Sequence, residues 1–241
     1  MKFSHIKSSN FSNKPRKLKN IKFIIIHYTG MQSKRVSIKR LLSKKHKVSC
    51  HYIIDRNGFV IQMVKDQNIA WHAGKSKWQN YQNLNENSIG IELINKGHQY
   101  GYEKFSKKQV HKLIKLCLYL KKKYKIKKSN FIGHSDIAPL RKKDPGEKFP
   151  WHRLSTLGIG NWYPLLKESQ KKLSENKIRE LFFKNIYIIG YRYFNKKNPD
   201  KKVDSLLIKA FKRRYMPAAV NSVLDAKTLE ISYFLANHKK N

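Results

Sequence analysis

Three residues in this chain have the types and surroundings of a metal-ligand set. The stretch Asn130 to Trp151, NFIGHSDIAPLRKKDPGEKFPW, places His134 directly after a short apolar run and Asp144 in an Asp-Pro-Gly loop further on. A second apolar run, Ile21 to Ile26 in IKFIIIHYTG, is closed by His27. A catalytic zinc takes three protein ligands from His, Asp, Glu and Cys and keeps a fourth position for water. Two histidines ending neighbouring strands of one sheet, with an aspartate on a tight loop, supply such a set. With 10 histidines in the chain many pairs arise by accident, so for each residue a satisfied polar side chain is the competing reading.

Glu92 is the next residue able to do chemistry. Ser88 to Ile94, SIGIELI, alternates as a strand with Ile89, Ile91 and Leu93 on one face and Gly90, Glu92 and Ile94 on the other. An acid embedded in an apolar strand is either a positioned base or a surface residue on an exposed face. Lys142 lies between Arg141 and Lys143, and any of the three can be ordinary solvated charge. Trp71 and Trp78 are further candidates for contact with a ligand, against the alternative of burial.

The elements that must position these residues follow from periodicity. The run Ile21 to Ile26 has the continuous apolar character of a strand buried on both faces. HYIIDRNGFVIQMV carries Asn57-Gly58 between two β-rich runs, so His51 to Asp55 and Phe59 to Val64 are predicted to pair antiparallel. SKKQVHKLIKLCLYLKKKY opens with a capping-box match, Ser106 and Gln109. It then places Val110, Leu113, Ile114, Cys117, Leu120 and Tyr124 on one stripe, with His111 off it and exposed. Strands alternating with helices around a hairpin predict an α/β fold: a mixed β-sheet flanked by helices. Residues 1–20 read as a basic, mostly irregular arm and 21–171 as the main domain. Residues 172–241 read as a small helical unit with helices near Glu175 to Tyr187, Val203 to Arg214 and Ala226 to Asn237.

Composition bounds the partners. Lys and Arg number 53 against 15 Asp and Glu, a formal net charge of +38 that favours anionic ligands by sign alone. Hydrophobic residues at 40% set the chain apart from disordered polycations, so it is expected to fold. The two cysteines, Cys50 and Cys117, lie far apart with no CxxC, which argues against a disulfide framework and fits a reducing compartment. No apolar run reaches the ~18 residues of a membrane span. The basic, polar start MKFSHIKSSNFSNKPRKLKN has no apolar h-region, so the expected location is the cytoplasm.

In order and approximate spacing, IIIHYTG, HYIIDRNG, AWHAG, NSIGIELIN, GHSDIAP and KKDPGEKFPW resemble the zinc-dependent N-acetylmuramoyl-L-alanine amidases of the AmpD/AmiD type. These are related to amidase-type phage lysozymes and to peptidoglycan recognition proteins. The resemblance runs from Ile21 to Pro164. It implies one zinc held by His27, His134 and Asp144, with Glu92 as acid–base catalyst and Lys142 two residues before the metal aspartate as oxyanion stabiliser. It also places His51 and His72 near the substrate groove, with substrate contact or support of the site set against a structural role, and leaves Trp71 as a candidate to line that groove. The implied substrate is a muropeptide or peptidoglycan, cut between the lactyl group of N-acetylmuramic acid or its anhydro form and L-alanine, in murein recycling or turnover. Residues 172–241 resemble, more loosely, a peptidoglycan-binding-type unit. The rival readings are a non-catalytic muropeptide sensor and a nucleic-acid binder. The second lacks any recognisable nucleic-acid motif, and no specific nucleic acid is expected as partner.

Overall fold

The computed structural model describes residues 3–165, 173–195 and 198–238. Its strands are β1 (Ser4–His5), β2 (Phe11–Ser12), β3 (Phe23–Tyr28), β4 (Tyr52–Ile54), β5 (Val60–Gln62), β6 (Ile69–Ala70), β7 (Lys77–Trp78), β8 (Tyr81–Gln82), β9 (Ser88–Leu93) and β10 (Phe131–Gly133). The α-helices are α1 (Lys34–Leu42), α2 (Lys107–Tyr124), α3 (His134–Ile137), α4 (Trp151–Ser155), α5 (Glu175–Ile189), α6 (Lys201–Tyr215) and α7 (Ala226–Asn237). Six strands form one sheet in the order β1-β5-β4-β9-β3-β10. The β4–β5 hairpin is antiparallel, and β4–β9, β9–β3 and β3–β10 are parallel. This is the mixed sheet flanked by helices that the periodicity predicts. The hairpin turns at Gly58 with φ +85°, and the Asp55 side chain accepts from the amides of Asn57 and Phe59 to close it.

Alternation along β3 sends its side chains into two cores. Ile24 and Ile26 join Ile89, Ile91 and Leu93 beneath Leu113, Cys117 and Leu120 of α2 and Trp151 of α4. Phe23 and Ile25 face the other way, into one apolar cluster with Phe182, Ile186, Leu207, Phe211 and Leu235 of α5, α6 and α7. The C-terminal helices therefore cover the second face of the sheet. The expected junction at residue 171–172 lies outside the described residues. Ser106 caps α2 as predicted by accepting from the Gln109 amide, but the Gln109 side chain does not reach back to complete the box. It donates instead to the Ile54 and Ile94 carbonyls at 2.9 and 3.1 Å, anchoring the helix to β4 and to the chain just after β9.

Residues 3–20 have little regular structure but are held firmly. β1 adds to the edge of the sheet alongside β5, and β2 pairs with β6. Arg16 is buried and donates to the carbonyls of Asp66, Asn85, Glu86 and Ser88. A polar, lysine-rich stretch carries no apolar period, so its docking through side chain to backbone bonds leaves no mark in the hydrophobic pattern.

Candidate active site

The sheet and one short loop bring the site together. His27 is the penultimate residue of β3, and its register partner on β9 is Glu92. β10 lies on the other side of β3 and runs directly into α3, whose first residue is His134. The loop carrying Asp144 folds back onto the end of β10, where the Ser135 amide donates to the Asp144 carbonyl at 2.8 Å. Gly133 permits this approach, since a Cβ there would stand 2.7 Å from Pro145 Cδ.

His27 Nδ1, His134 Nδ1 and Asp144 Oδ2 form a triangle with all three edges 3.0 Å. The surrounding hydrogen bonds assign the protons. His134 Nε2 lies 3.1 Å from the Ala73 carbonyl, so it carries the hydrogen and leaves Nδ1 bare. Ser88 Oγ donates to the Leu84 carbonyl and faces His72 Nε2 at 3.3 Å, which makes that nitrogen the donor and His72 Nδ1 an acceptor. His27 Nε2, 3.1 Å from His72 Nδ1, then carries its own hydrogen and turns a bare Nδ1 to the triangle. In these tautomers both Nδ1 lone pairs and the Asp144 carboxylate oxygen point to one place, which is the electronic requirement of a cation site with oriented histidine ligands. The three side chains are buried and form the one group of this kind able to hold a metal among the described residues.

Electrostatics favour a neutral His27 and an ionised Asp144. Burial, reinforced by His134, lowers His27 to about 4 against the opposing pull of Asp144, so its imidazole is neutral at physiological pH. Burial alone would raise Asp144, but His134 and His27 hold its carboxyl well below the usual carboxylate range. Burial pushes Glu92 up to about 8, with the Asp144 carboxylate adding and the Lys142 ammonium opposing. Its Oε2 is buried and has no hydrogen-bond partner among the described residues, an orphaned oxygen beside the triangle.

These groups face a cavity of about 510 Å³ lined by His27, His72, His134, Asp144, Glu92, Lys142 and Trp71. Arg40, Arg141 and Lys143 add positive charge to its wall. Lys142 is half-buried whereas Arg141 and Lys143 are exposed, a distinction invisible in the run of three cations. Arg141 is nevertheless specifically placed, donating to the Ala73 and Lys75 carbonyls.

Two sequence candidates lie elsewhere. His51 is fully enclosed and does not line the cavity; its Nδ1 accepts from the Gly90 amide at 3.0 Å and its Nε2 faces Arg16 and the Asn68 carbonyl. Trp78 is 2% exposed, packed edge-on against Tyr191, because β7 turns it into the apolar cluster under α5. Trp71, half-buried, and His72 do reach the cavity. His111 is exposed, as its place off the α2 stripe predicts. The proton-fixing roles of Ser88 and the Ala73 carbonyl had no signal in the sequence, since neither a strand-start serine nor a backbone carbonyl is marked by residue pattern.

A profile of the family described as N-acetylmuramoyl-L-alanine amidase matches residues 17–147, and the chain belongs to that family. The N-acetylmuramoyl-L-alanine amidase AmiD of Escherichia coli (strain K12) is 34% identical over 232 residues, covering 88% of this chain and 81% of AmiD. The 1,6-anhydro-N-acetylmuramyl-L-alanine amidase AmpD of Haemophilus influenzae is 34% identical over 166 residues, covering 61% of this chain and 88% of AmpD. Among solved structures, E. coli AmiD in complex with the substrate anhydro-N-acetylmuramic acid-L-Ala-D-γ-Glu-L-Lys matches with a TM-score of 0.79 and 29% identity. That match covers 94% of this chain and 91% of AmiD. AmpDH3 of Pseudomonas aeruginosa matches with a TM-score of 0.79 and 27% identity over 98% of both chains. The similarity to AmiD and AmpDH3 thus extends through the C-terminal helices.

Proposed function

We propose that this protein is an N-acetylmuramoyl-L-alanine amidase that hydrolyses the amide between the lactyl group of N-acetylmuramic acid, or its anhydro form, and the L-alanine of the stem peptide. The observation that carries the reading is the convergence of His27 Nδ1, His134 Nδ1 and Asp144 Oδ2 at 3.0 Å in a cavity that Glu92 and Lys142 also line. Zinc is the proposed ion, because two imidazoles and one carboxylate are a donor set it takes with a fourth position open. Held by His27, His134 and Asp144, zinc would supply a bound water with its pKa lowered to about 7 and polarisation of the scissile carbonyl.

The chain's own side chains supply the rest. Glu92 takes a proton from the attacking water and returns it to the leaving amine; its carboxyl stands at about 8 with Lys142 already opposing the rise, and a cation at the triangle would draw it further toward neutrality, where one group can do both. Lys142 donates to the carbonyl oxygen as negative charge develops there, a contribution of order 3 to 4 kcal/mol for a single well-placed donor. His72 and the Ala73 carbonyl keep the two imidazoles in the ligating tautomer. Trp71 walls the cavity beside them. The net charge of +38 and the cationic wall draw in a substrate bearing several carboxylates.

A sensor that binds muropeptides without cutting them needs no acid–base group, and the buried, unpartnered Glu92 oxygen favours the enzyme. Murein recycling or turnover in the cytoplasm is the proposed setting, supported by two buried free thiols, Cys50 and Cys117. Among the described residues no helix is long and apolar enough to cross a membrane. Incubating the purified protein with anhydro-muropeptide and with intact sacculi, with and without chelator, and identifying products by mass tests the reading. Free stem peptide released only without chelator is expected; no release from either substrate overturns it.

A further inference from the structure

We infer that Arg214 and Tyr191, contributed by the C-terminal helical segment, are positioning residues for His134. The inference rests on the reading of His27, His134 and Asp144 as a divalent-metal site. Asp136, 1% exposed, is the link. Its Oδ2 accepts from the Gly133 amide at 2.8 Å, the residue immediately before His134, and from Arg214 Nη1 of α6. Its Oδ1 accepts from Tyr191 Oη, just beyond α5, at 2.7 Å. Arg214 Nη2 donates to the Phe131 carbonyl at 3.0 Å, and the guanidinium lies 4.1 Å over the Trp151 ring. One fork therefore grips both ends of β10, the Phe131 carbonyl directly and the Gly133 amide through Asp136.

The need for such a grip follows from the size of α3. A four-residue helix has too few internal hydrogen bonds to hold its own orientation. His134 is its first residue and must keep Nδ1 at 3.0 Å from both His27 and Asp144. An arginine suits this place because its planar fork satisfies a carboxylate and a carbonyl together, whereas a lysine ammonium is a point donor. Arg214, Tyr191 and Asp136 are all buried and none lines the cavity, so their action on the chemistry passes through His134.

The test uses the full-length protein, stripped with chelator and titrated with Zn²⁺ against a chromophoric competitor, and the Co²⁺-loaded protein read by its visible absorption. Arg214→Met is expected to weaken Zn²⁺ binding by about 10- to 100-fold, the usual effect of losing an outer-shell partner, and to alter the Co²⁺ spectrum. Arg214→Lys should fall between Arg214→Met and the natural protein, and Tyr191→Phe should lose several-fold. Leu207→Ala, which removes apolar packing from the same helical segment but no hydrogen bond, should lower the melting temperature and leave affinity and spectrum unchanged. If Arg214→Met does not fold, Tyr191→Phe and Arg214→Lys decide. Unchanged affinity and spectrum in the folded variants, or an equal loss in Leu207→Ala, overturns the inference alone. A natural protein that takes up neither Zn²⁺ nor Co²⁺ overturns the metal reading and the inference with it.

Discussion

His27 and Glu92 are register partners across the parallel pairing of β3 and β9, so the backbone of the sheet itself sets the acid beside the metal-type triangle. Both lie on the face opposite Ile26 and Ile91, which fill the core under α2. Glu92→Gln keeps the size and one acceptor oxygen but accepts no proton. It should retain the metal and lose about 10²-fold or more in turnover. Near-normal kcat with unchanged metal content would remove Glu92 from the chemistry.

Metal content is a separate expectation. Freshly purified protein should carry about one zinc per chain, and Asp144→Ala should lose both metal and activity, because it removes one of only three protein ligands. Elemental analysis beside activity checks this; active protein free of zinc contradicts it.

Gly90 should resist substitution for a reason that lies outside its own strand. A Cβ there would stand 2.4 Å from His72 Cγ, and the His72 ring is what accepts the His27 Nε2 hydrogen. Gly90→Ala should therefore displace His72 and weaken metal binding by about 10-fold or more, without touching a ligand. A variant with natural zinc affinity would show that His27 keeps its tautomer unaided.

Ending the chain before α5 should destabilise the part that remains. Phe23, Ile25, Ile132 and Ile137 share one apolar cluster with α5, α6 and α7, and each large side chain uncovered costs about 1.5–3 kcal/mol. Asp136 loses Arg214 and Tyr191 at the same time and becomes an unpaired acid. Thermal unfolding of the truncated protein, which should melt well below the full chain, is the measurement; an equal melting temperature with bound zinc would mean that residues 3–165 are self-sufficient.

His51 predicts a pH dependence. Burial, with the Arg16 guanidinium adding, lowers it from 6.5 to about 3, so the native imidazole stays neutral where the unfolded one takes a proton. Its share of stability is thus complete above pH 6.5 and is lost as pH falls toward 3, at about 1.4 kcal/mol per pH unit while only the unfolded chain is protonated. His51→Gln should be less stable at neutral pH, having lost the bond to the Gly90 amide, yet show a shallower decline on acidification. Denaturant unfolding from pH 7 down to about 4 compares the slopes; parallel profiles would exclude His51 as a source.

By itself the sequence determined the central strands β3, β4, β5, β9 and β10, the Asn57-Gly58 hairpin and the α2 stripe, and it marked His27, His134 and Asp144 as a candidate group. Each is written in a local pattern: which side chains repeat every two or every three to four residues, and which residues tolerate a turn. The tertiary structure decided everything that depends on register and on which segment packs where. Trp71 and Trp78 are equivalent as isolated aromatics, yet one walls the cavity and the other lies under α5. Arg141, Lys142 and Lys143 form a uniform cationic run until the fold half-buries the middle one. His27 and His134 are 107 residues apart, and their tautomers depend on Ser88, His72 and the Ala73 carbonyl, none of which adjoins either histidine in the chain. Hydrogen-bond direction in a buried network is set by every partner at once, so it emerges only when the packed chain brings those partners within reach.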